Sequence, residues 1–272
     1  FQPTARMSTK LTGVENASMG LLGGGIEVSL LQGMNYLKNA SQQGLPFTLN
    51  PRVLYRGYPS NLLNMGSGTM WQFAVCGQMG KMLTKGDKRP LKPWEDVTAG
   101  FIAGTSSGVL VSPLELIMIQ QQLKGGSAMG AVQKMGGVTA LARGFVPGAI
   151  REGLWSVGYL SLPPIIRNYL KSNYASTFSN ETQIRSVAAL LGAFISCIAS
   201  HPFDTVKTCM QGDIEQKRYK TMTHTFRELF SESGVTRFYR GLPWRYGRQF
   251  LAVFILDQVR EDVTPYLFPH AA

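Results

Sequence analysis

The sequence predicts an all-α membrane protein in which six transmembrane helices form three pseudo-symmetric repeats. Three observations support this prediction: long stretches without charged residues, small residues at helical spacing, and an internal repeat. Only 16% of the 272 residues are charged and 44% are hydrophobic, whereas roughly 25% of residues are charged in an ordinary soluble domain. This composition excludes a disordered chain, because disorder requires high charge and few apolar residues.

Four stretches of the chain lack Asp, Glu, Lys and Arg altogether. They cover residues 57–80, 97–114, 153–166 and 186–203, and their lengths approach or exceed the roughly 20 residues that a membrane-spanning helix needs. Gly, Ser, Thr and Gln are mixed among their apolar residues. This mixture is typical of helices that face lipid on one side and a wet cavity on the other.

Small residues recur every fourth position within two of the uncharged stretches. The two series are Gly100, Gly104 and Gly108, and Ala188, Gly192, Ser196 and Ser200. In lipid, this spacing lets helix backbones approach closely and gain van der Waals contact. The series therefore indicate membrane helices.

Three segments of the chain are alike and recur at intervals of 88 and 89 residues. They read GGIEVSLLQGM, SPLELIMIQQQ and HPFDTVKTCMQ, and an Arg-Gly pair ending at Gly57, Gly144 or Gly241 follows each one. Each unit is expected to contain a long helix, a short helix that ends at the Arg-Gly pair, and a second long helix. The predicted units are residues 1–88, 89–178 and 179–272, which together form one domain.

These segments resemble the repeats of the mitochondrial carrier family, which carry Pro-x-[Asp/Glu]-x-x-[Lys/Arg] on the first helix of each repeat. The resemblance covers nearly the whole chain. The third segment contains the complete motif, with Pro202, Asp204, Lys207 and Gln211. The second contains Pro113, Glu115 and Gln122 but has Met118 at the basic position, and the first keeps only Glu27.

The resemblance implies a matrix-side gate in which the acid of one repeat meets the base of the next. Its members would be Glu27, Glu115, Asp204 and Lys207, braced by Gln122 and Gln211. Glu115 is expected to pair with Lys207. Glu27 would face Met118 and Asp204 would face Leu30, so these two carboxylates are expected to meet water, hydroxyls or backbone donors. A second gate at the cytoplasmic side is expected to use Asp257, Arg260 and Arg167.

The resemblance also implies a substrate site on the second helix of each repeat, seven and eight residues after the Arg-Gly glycine. This count gives Asn64, Arg151, Glu152 and Arg248, with Arg245 as an alternative to Arg248. An Arg–acid pair suits an amino acid or a related zwitterion, because Arg binds a carboxylate through two hydrogen bonds and Glu accepts from an ammonium group. Alternatively, Arg151 and Glu152 serve helix packing or lie at a membrane surface.

Several partners follow from the same resemblance. Gly57, Gly144 and Gly241 are expected to bind membrane lipids, specifically cardiolipin, at helix starts where free N–H groups attract phosphate. A multi-pass protein of the mitochondrial inner membrane is expected. No cofactor and no metal are expected, because the Cys and His residues are scattered. The net charge of +11 is spread along the chain without a nucleic-acid motif, so a nucleic-acid partner is not expected.

The resemblance implies a transporter of a small-molecule substrate that works by alternating access. An enzyme is not expected, because the sequence has no Gly-rich phosphate loop and no recognisable catalytic constellation. The alternative function is an accessory or scaffold subunit that no longer transports. The apparent loss of two of three gate pairs favours this alternative, in which the chain binds other subunits of an inner-membrane complex, for example a respiratory complex.

Overall fold

Every regular element in the described part of the chain is helical. The computed structural model describes residues 13–85, 89, 91–135, 138–174, 178 and 180–268. Within these residues the chain forms α-helices, short 3₁₀-helices and one π-helix, and no strand is present. The predicted all-α fold class is therefore confirmed.

Six long helical segments account for most of the described residues. They are α1 (Gly13–Gln43), α3 (Tyr58–Leu83), α4 (Pro93–Lys124), α6 (Phe145–Ser156) continued through a π-helix (Val157–Ser161) into α7 (Leu162–Asn173), α8 (Glu181–Gly212) and α10 (Leu242–Leu267). By length and composition, α4 and the segment Gln183–Gly212 of α8 are apolar enough to cross a bilayer.

Short helices connect the long ones within each repeat. They are α2 (Pro51–Leu54), α5 (Ala128–Lys134), a 3₁₀-helix (Val138–Ala142), α9 (Met222–Ser233) and a second 3₁₀-helix (Gly234–Tyr239). A short helix precedes each of Gly57, Gly144 and Gly241, as the repeat pattern predicts.

The long segments pack in chain order and close into a ring. Contacts join α1 to α3, α3 to α4, α4 to α6, α6 and α7 to α8, and α8 to α10, and the last helix, α10, returns to α1. The arrangement therefore has an inside, toward which each helix presents polar side chains, and an outside with exposed apolar residues such as Leu63, Val109 and Ile195.

The small residues at four-residue spacing lie where helices touch. A Cβ added at Gly104 would overlap the Glu152 carbonyl oxygen, and one added at Gly192 would lie 2.8 Å from the Gly158 carbonyl oxygen. Such approaches leave no room for a side chain. The small residues thus allow α4 to contact α6, and α8 to contact the π-helix.

Three glycines at equivalent positions have left-handed backbones and start the second long helix of each repeat. Their φ angles are +76° at Gly57, +74° at Gly144 and +84° at Gly241. A Cβ at Gly57 would lie 2.9 Å from the carbonyl oxygen of Met118, and a Cβ at Gly241 would lie 2.8 Å from that of Lys38. Only glycine satisfies both constraints at these positions.

The neighbours of these glycines correct the alignment of the first repeat. Gly144 lies against Lys207, as Gly57 lies against Met118 and Gly241 lies against Lys38. Lys38, Met118 and Lys207 are therefore equivalent positions, and the placement of Leu30 at this position is wrong by eight residues. The first repeat has no helix comparable to α5 or α9 between its first long helix and its Arg-Gly pair, so a constant interval does not locate its motif.

Candidate functional site

The first long helices of the three repeats meet through buried charged side chains on α1, α4 and α8. Lys207 Nζ lies 2.8 Å from Glu115 Oε2, which is the expected ion pair between the second and third repeats. Lys207 is fully buried and Glu115 is 6% exposed. Burying an unpaired charge is costly, and this ion pair compensates the charges of both buried side chains.

Asp204 has a basic partner, so the expectation that it lacks one is wrong. Lys38 Nζ lies 2.9 Å from Asp204 Oδ2, and Gln42 Nε2 donates to the same oxygen at 2.8 Å. Leu30, which was expected opposite Asp204, is 62% exposed. The first repeat therefore supplies Lys38 at the position that Lys207 occupies in the third.

The third pair of equivalent positions is neutral. Asn35 Nδ2 lies 3.4 Å from Met118 Sδ, and one turn further along α1, Asn39 Nδ2 donates to Gln122 Oε1 at 2.7 Å. At the three equivalent gate positions the described residues thus form two ion pairs and one amide–thioether contact, whereas the sequence predicted a single ion pair.

Gln211 joins α8 to its neighbours in a different way from Gln122. Its Nε2 donates to the carbonyl oxygens of Ser112 at 3.2 Å and Arg143 at 3.3 Å. The backbone carbonyl oxygen of Gln211 accepts a hydrogen bond from Gln120 Nε2 at 2.7 Å. Each glutamine therefore bridges two repeats, but the bonding partners differ.

Arg151 extends from α6 into the ion pairs between repeats. Its Nη2 donates to Glu115 Oε1 at 2.9 Å and also to Glu152. Its Nε lies 3.6 Å from Asp204 Oδ1. Arg151 thus contacts the acids of both ion pairs, and this link between the candidate substrate site and the gate residues was not predicted from the sequence.

Glu152 is held on its other side by a hydrogen-bond chain from α3 and the π-helix. Gln72 Nε2 donates to Glu152 Oε2 at 3.0 Å and to Ser107 Oγ at 2.8 Å. Tyr159 OH in turn donates to Gln72 Oε1. The Glu152 side chain therefore has a fixed orientation, with one oxygen on Arg151 and the other on Gln72.

Arg245, the alternative substrate residue, also belongs to this interior. Its Nη1 lies 3.8 Å from Asp204 Oδ2, and its Nη2 donates to Ser200 Oγ at 2.7 Å. Its guanidinium lies over the Trp155 ring, 5.2 Å from the centroid. Such stacking is a favourable cation–π contact.

We call these connected side chains the central cluster. Its members are Lys38, Glu115, Arg151, Glu152, Asp204, Lys207 and Arg245. Four are cationic and three are carboxylates, so with all of them ionised the described cluster has a formal charge of +1. Because a buried surplus charge is costly, the cluster favours the arrival of an anionic group.

Glu27 lies outside the central cluster, and its expected lack of a basic partner is wrong. Arg248 Nη2 lies 2.6 Å from Glu27 Oε1, and Met65 Sδ is 3.9 Å from the same nitrogen. The position assigned to Glu27 in the gate belongs to Asn35. Asn64, the neighbour of Met65, is 5% exposed, and its Oδ1 has no hydrogen-bond donor among the described residues.

The expected second gate is described only in part. Arg167 pairs with Glu181, at the start of α8, and Glu181 also contacts Lys171 and Arg185. The side chains of Asp257 and Arg260 lie outside the described residues. The uncharged stretch that precedes Arg167 offers it no acid, and in the structure Glu181 of α8 is its acidic partner.

Lys38, Asn35 and Gln42 are interior residues that were not predicted from the sequence. A signal for them was present, because Gly33-x-Asn35-x-x-Lys38-x-x-x-Gln42 has the spacing of Pro202-x-Asp204-x-x-Lys207-x-x-x-Gln211. Two substitutions, Gly for Pro and Asn for Asp, removed the residue types by which the motif is recognised.

Comparison with known proteins agrees with this arrangement. A family model described as mitochondrial carrier protein matches residues 89–174 and 179–269, which is more than half of the chain. A mitochondrial substrate carrier family protein S of Dictyostelium discoideum is 26% identical over 227 residues, covering 79% of each chain.

Two further relatives have names that specify a substrate. A mitochondrial glycine transporter of Kluyveromyces lactis is 23% identical over 279 residues, covering 90% of this chain and 94% of the relative. A mitochondrial adenyl nucleotide antiporter of Bos taurus is 26% identical over 226 residues, covering 78% of this chain and 46% of the relative.

Proposed function

Because the chain belongs to the mitochondrial carrier family, we propose that it transports a small amino acid or a related zwitterion across the mitochondrial inner membrane by alternating access. The observation that carries this proposal is the central cluster with its formal charge of +1. A substrate carboxylate compensates this charge. A nucleoside triphosphate would bring several negative charges to a cluster with a surplus of one.

In this proposal Arg151, Glu152, Arg248 and Asn64 bind the substrate. Arg151 and Arg248 bind its carboxylate, Glu152 accepts from its ammonium group, and the amide of Asn64 supplies a polar contact. Asn64, Arg151 and Arg248 each lie seven residues after a left-handed glycine. Because the three residues occupy equivalent positions in the three repeats, we expect them to lie at the same depth in the ring.

The contacts of Arg151 suggest how substrate binding is coupled to the gate. Arg151 binds Glu115 and lies near Asp204, the acids of the two ion pairs. A substrate carboxylate that draws Arg151 away weakens the electrostatic compensation of both acids. Binding therefore lowers the cost of separating α1, α4 and α8, which is the differential interaction that a conformational change requires.

Membrane lipid is a further proposed partner. Gly57 and Gly144 start helices α3 and α6 with left-handed backbones and no side-chain cap, and Gly241 precedes α10 in the same conformation. N–H groups at such helix starts are suited to a phosphate of cardiolipin.

The accessory-subunit alternative is less well supported. It was based on the loss of two of three gate pairs, whereas ion pairs occupy two of the three gate positions in the structure. The central cluster also retains charges that are costly to bury, and an inactive scaffold has no need of them.

The proposal is tested by reconstituting the purified chain into cardiolipin-containing liposomes loaded with glycine and measuring uptake of labelled glycine. Arg151→Ala should reduce uptake at least about tenfold, because it removes a charge-assisted contact to the carboxylate. Arg185→Ala is the matched control, since Arg185 forms a surface ion pair with Glu181 and its loss should leave uptake unchanged.

Two results would count against the proposal. Uptake that is insensitive to Arg151→Ala would remove Arg151 from the site. Folded wild-type protein that exchanges no member of a panel of amino acids and carboxylates would contradict transport, and stable co-purification with a membrane complex would then favour the accessory subunit.

A further inference from the structure

Glu27 and Arg248 form a buried ion pair that is separate from the central cluster. The pair joins α1 to α10 at 2.6 Å, Glu27 is 5% exposed, and the Arg248 side chain is 20% exposed. Glu27 precedes Asn35, the nearest gate position on α1, by eight residues, which is about 12 Å along the helix. It lies too far from the gate positions to take part in them.

Helix α3, which carries Asn64, packs against this pair. Ser29 Oγ and Tyr58 OH are 2.7 Å apart, and an added Cβ at Gly25 would lie 3.7 Å from Leu62. The two helices therefore run in opposite directions, and Glu27 lies close to the level of Ser60. Met65 contacts Arg248, and its neighbour Asn64 carries a buried amide oxygen without a donor among the described residues.

We infer that Glu27 is a specificity-determining residue that, together with Arg248, admits zwitterions and rejects plain carboxylates. This inference rests on the proposed transport function and deepens it. Arg248 supplies the second cationic contact to the substrate carboxylate, beside Arg151, and Glu27 supplies a second acceptor for the ammonium group, beside Glu152. The sequence pattern placed Glu27 in the gate, so its role in selection is new.

Charge balance is the physical reason for the selectivity. A zwitterion that inserts between the two side chains replaces one ion pair by two, and the buried site remains neutral. A plain carboxylate that binds Arg248 leaves Glu27 as an uncompensated buried charge, which is strongly unfavourable. Glu27 therefore acts by excluding the wrong ligand as well as by binding the right one.

The test compares labelled glycine with labelled glycolate, in which a hydroxyl replaces the ammonium group. Both are measured as uptake into liposomes that contain wild type, Glu27→Gln, Glu27→Asp or the surface control Glu215→Gln, whose side chain is 61% exposed. Glu27→Gln should lower the glycine-to-glycolate uptake ratio about tenfold or more, because the charge-assisted contact to the ammonium is lost while Arg248 is released for glycolate. Glu27→Asp should keep a smaller preference for glycine, and Glu215→Gln should leave the ratio unchanged.

A purely structural role for Glu27 would change uptake of both probes in proportion. An unchanged ratio in Glu27→Gln, with wild type transporting glycine, would therefore overturn the inference and leave the proposed function standing. No uptake of any amino acid by wild type would overturn both. If Glu27→Gln does not fold, the ratio in Glu27→Asp decides, because the shorter carboxylate should lower the ratio measurably if Glu27 binds the ammonium directly.

Discussion

Arg151 is the side chain at which the candidate substrate site and the gate residues touch. Its guanidinium contacts Glu152 on its own helix, Glu115 on α4 and Asp204 on α8. This single residue contacts the acids of two different repeats, and in the proposed function it also binds the substrate carboxylate. Its replacement should consequently affect substrate affinity and the gate together.

The neutral contact between Asn35 and Met118 offers a direct experiment on the gate. Asn35→Asp or Met118→Lys alone places a charge in a buried position and should lower the free energy of unfolding by about 3 kcal/mol. The double variant Asn35→Asp/Met118→Lys builds the third ion pair. It should lose less stability than the sum of the two single variants, with a coupling energy of about 1–3 kcal/mol.

The measurement for this pair is thermal unfolding of the four proteins in detergent, together with glycine uptake. The double variant should transport more slowly than wild type, because a third ion pair must break for the gate to open. Strictly additive effects of the two single substitutions would show that positions 35 and 118 do not interact.

The ion pair between Glu115 and Lys207 was predictable from the sequence, because motif and spacing were both present around these residues. Lys38 was missed, since the first repeat has Gly33 and Asn35 in place of the Pro and the acid. The contact of Arg248 with Glu27 was also out of reach of the sequence. It depends on how the last helix, α10, returns to the first, α1, which no local pattern encodes.

At the scale of elements, close packing between helices depends on individual small residues. Gly104 on α4 lies against the backbone of Glu152, and a Cβ there has no space. Gly104→Ala should destabilise the protein by about 1–3 kcal/mol through overpacking, measured as a lower Tm and a lower denaturant midpoint.

Gly24 on α1 is the matched control for Gly104. Nothing lies within 4 Å of a Cβ built there, and alanine is the better helix former by roughly 0.5–1 kcal/mol. Gly24→Ala should therefore leave Tm unchanged or raise it. Equal destabilisation by both substitutions would show that close approach at Gly104 is not what makes it sensitive.

The uncharged stretches and the small-residue series predicted long helices, and the structure contains them. The π-helix Val157–Ser161 was not predicted, although it lies inside the uncharged stretch 153–166. Within it, Gly158 lies against Gly192 and Ser196 of α8, and such tertiary contacts cannot be read from a local sequence pattern. Tyr159 in this π-helix reaches Gln72, so the irregular segment supports the orientation of Glu152.

At the scale of the whole molecule, a closed ring of three repeats explains why buried charge is concentrated at the contacts between repeats. In the proposed transport cycle, the ion pairs Lys38–Asp204 and Glu115–Lys207 hold one end of the ring closed. Transport requires these contacts to break and re-form while the helices within each repeat stay packed. A link that prevents their separation must therefore stop transport.

The most direct test is a reversible cross-link between α1 and α4 at the gate. Asn35→Cys/Met118→Cys replaces two side chains that touch in the structure, and a short bis-methanethiosulfonate reagent joins the new thiols until dithiothreitol releases them. Labelled glycine uptake is measured before linking, after linking and after reduction. Wild type, with its native Cys76, Cys197 and Cys209, and the two single variants serve as controls.

We expect linking to abolish uptake by the double variant and reduction to restore it, while the three controls transport throughout. Uptake that continues at the unlinked rate when mass spectrometry shows the cross-link to be complete would contradict a gate between α1 and α4.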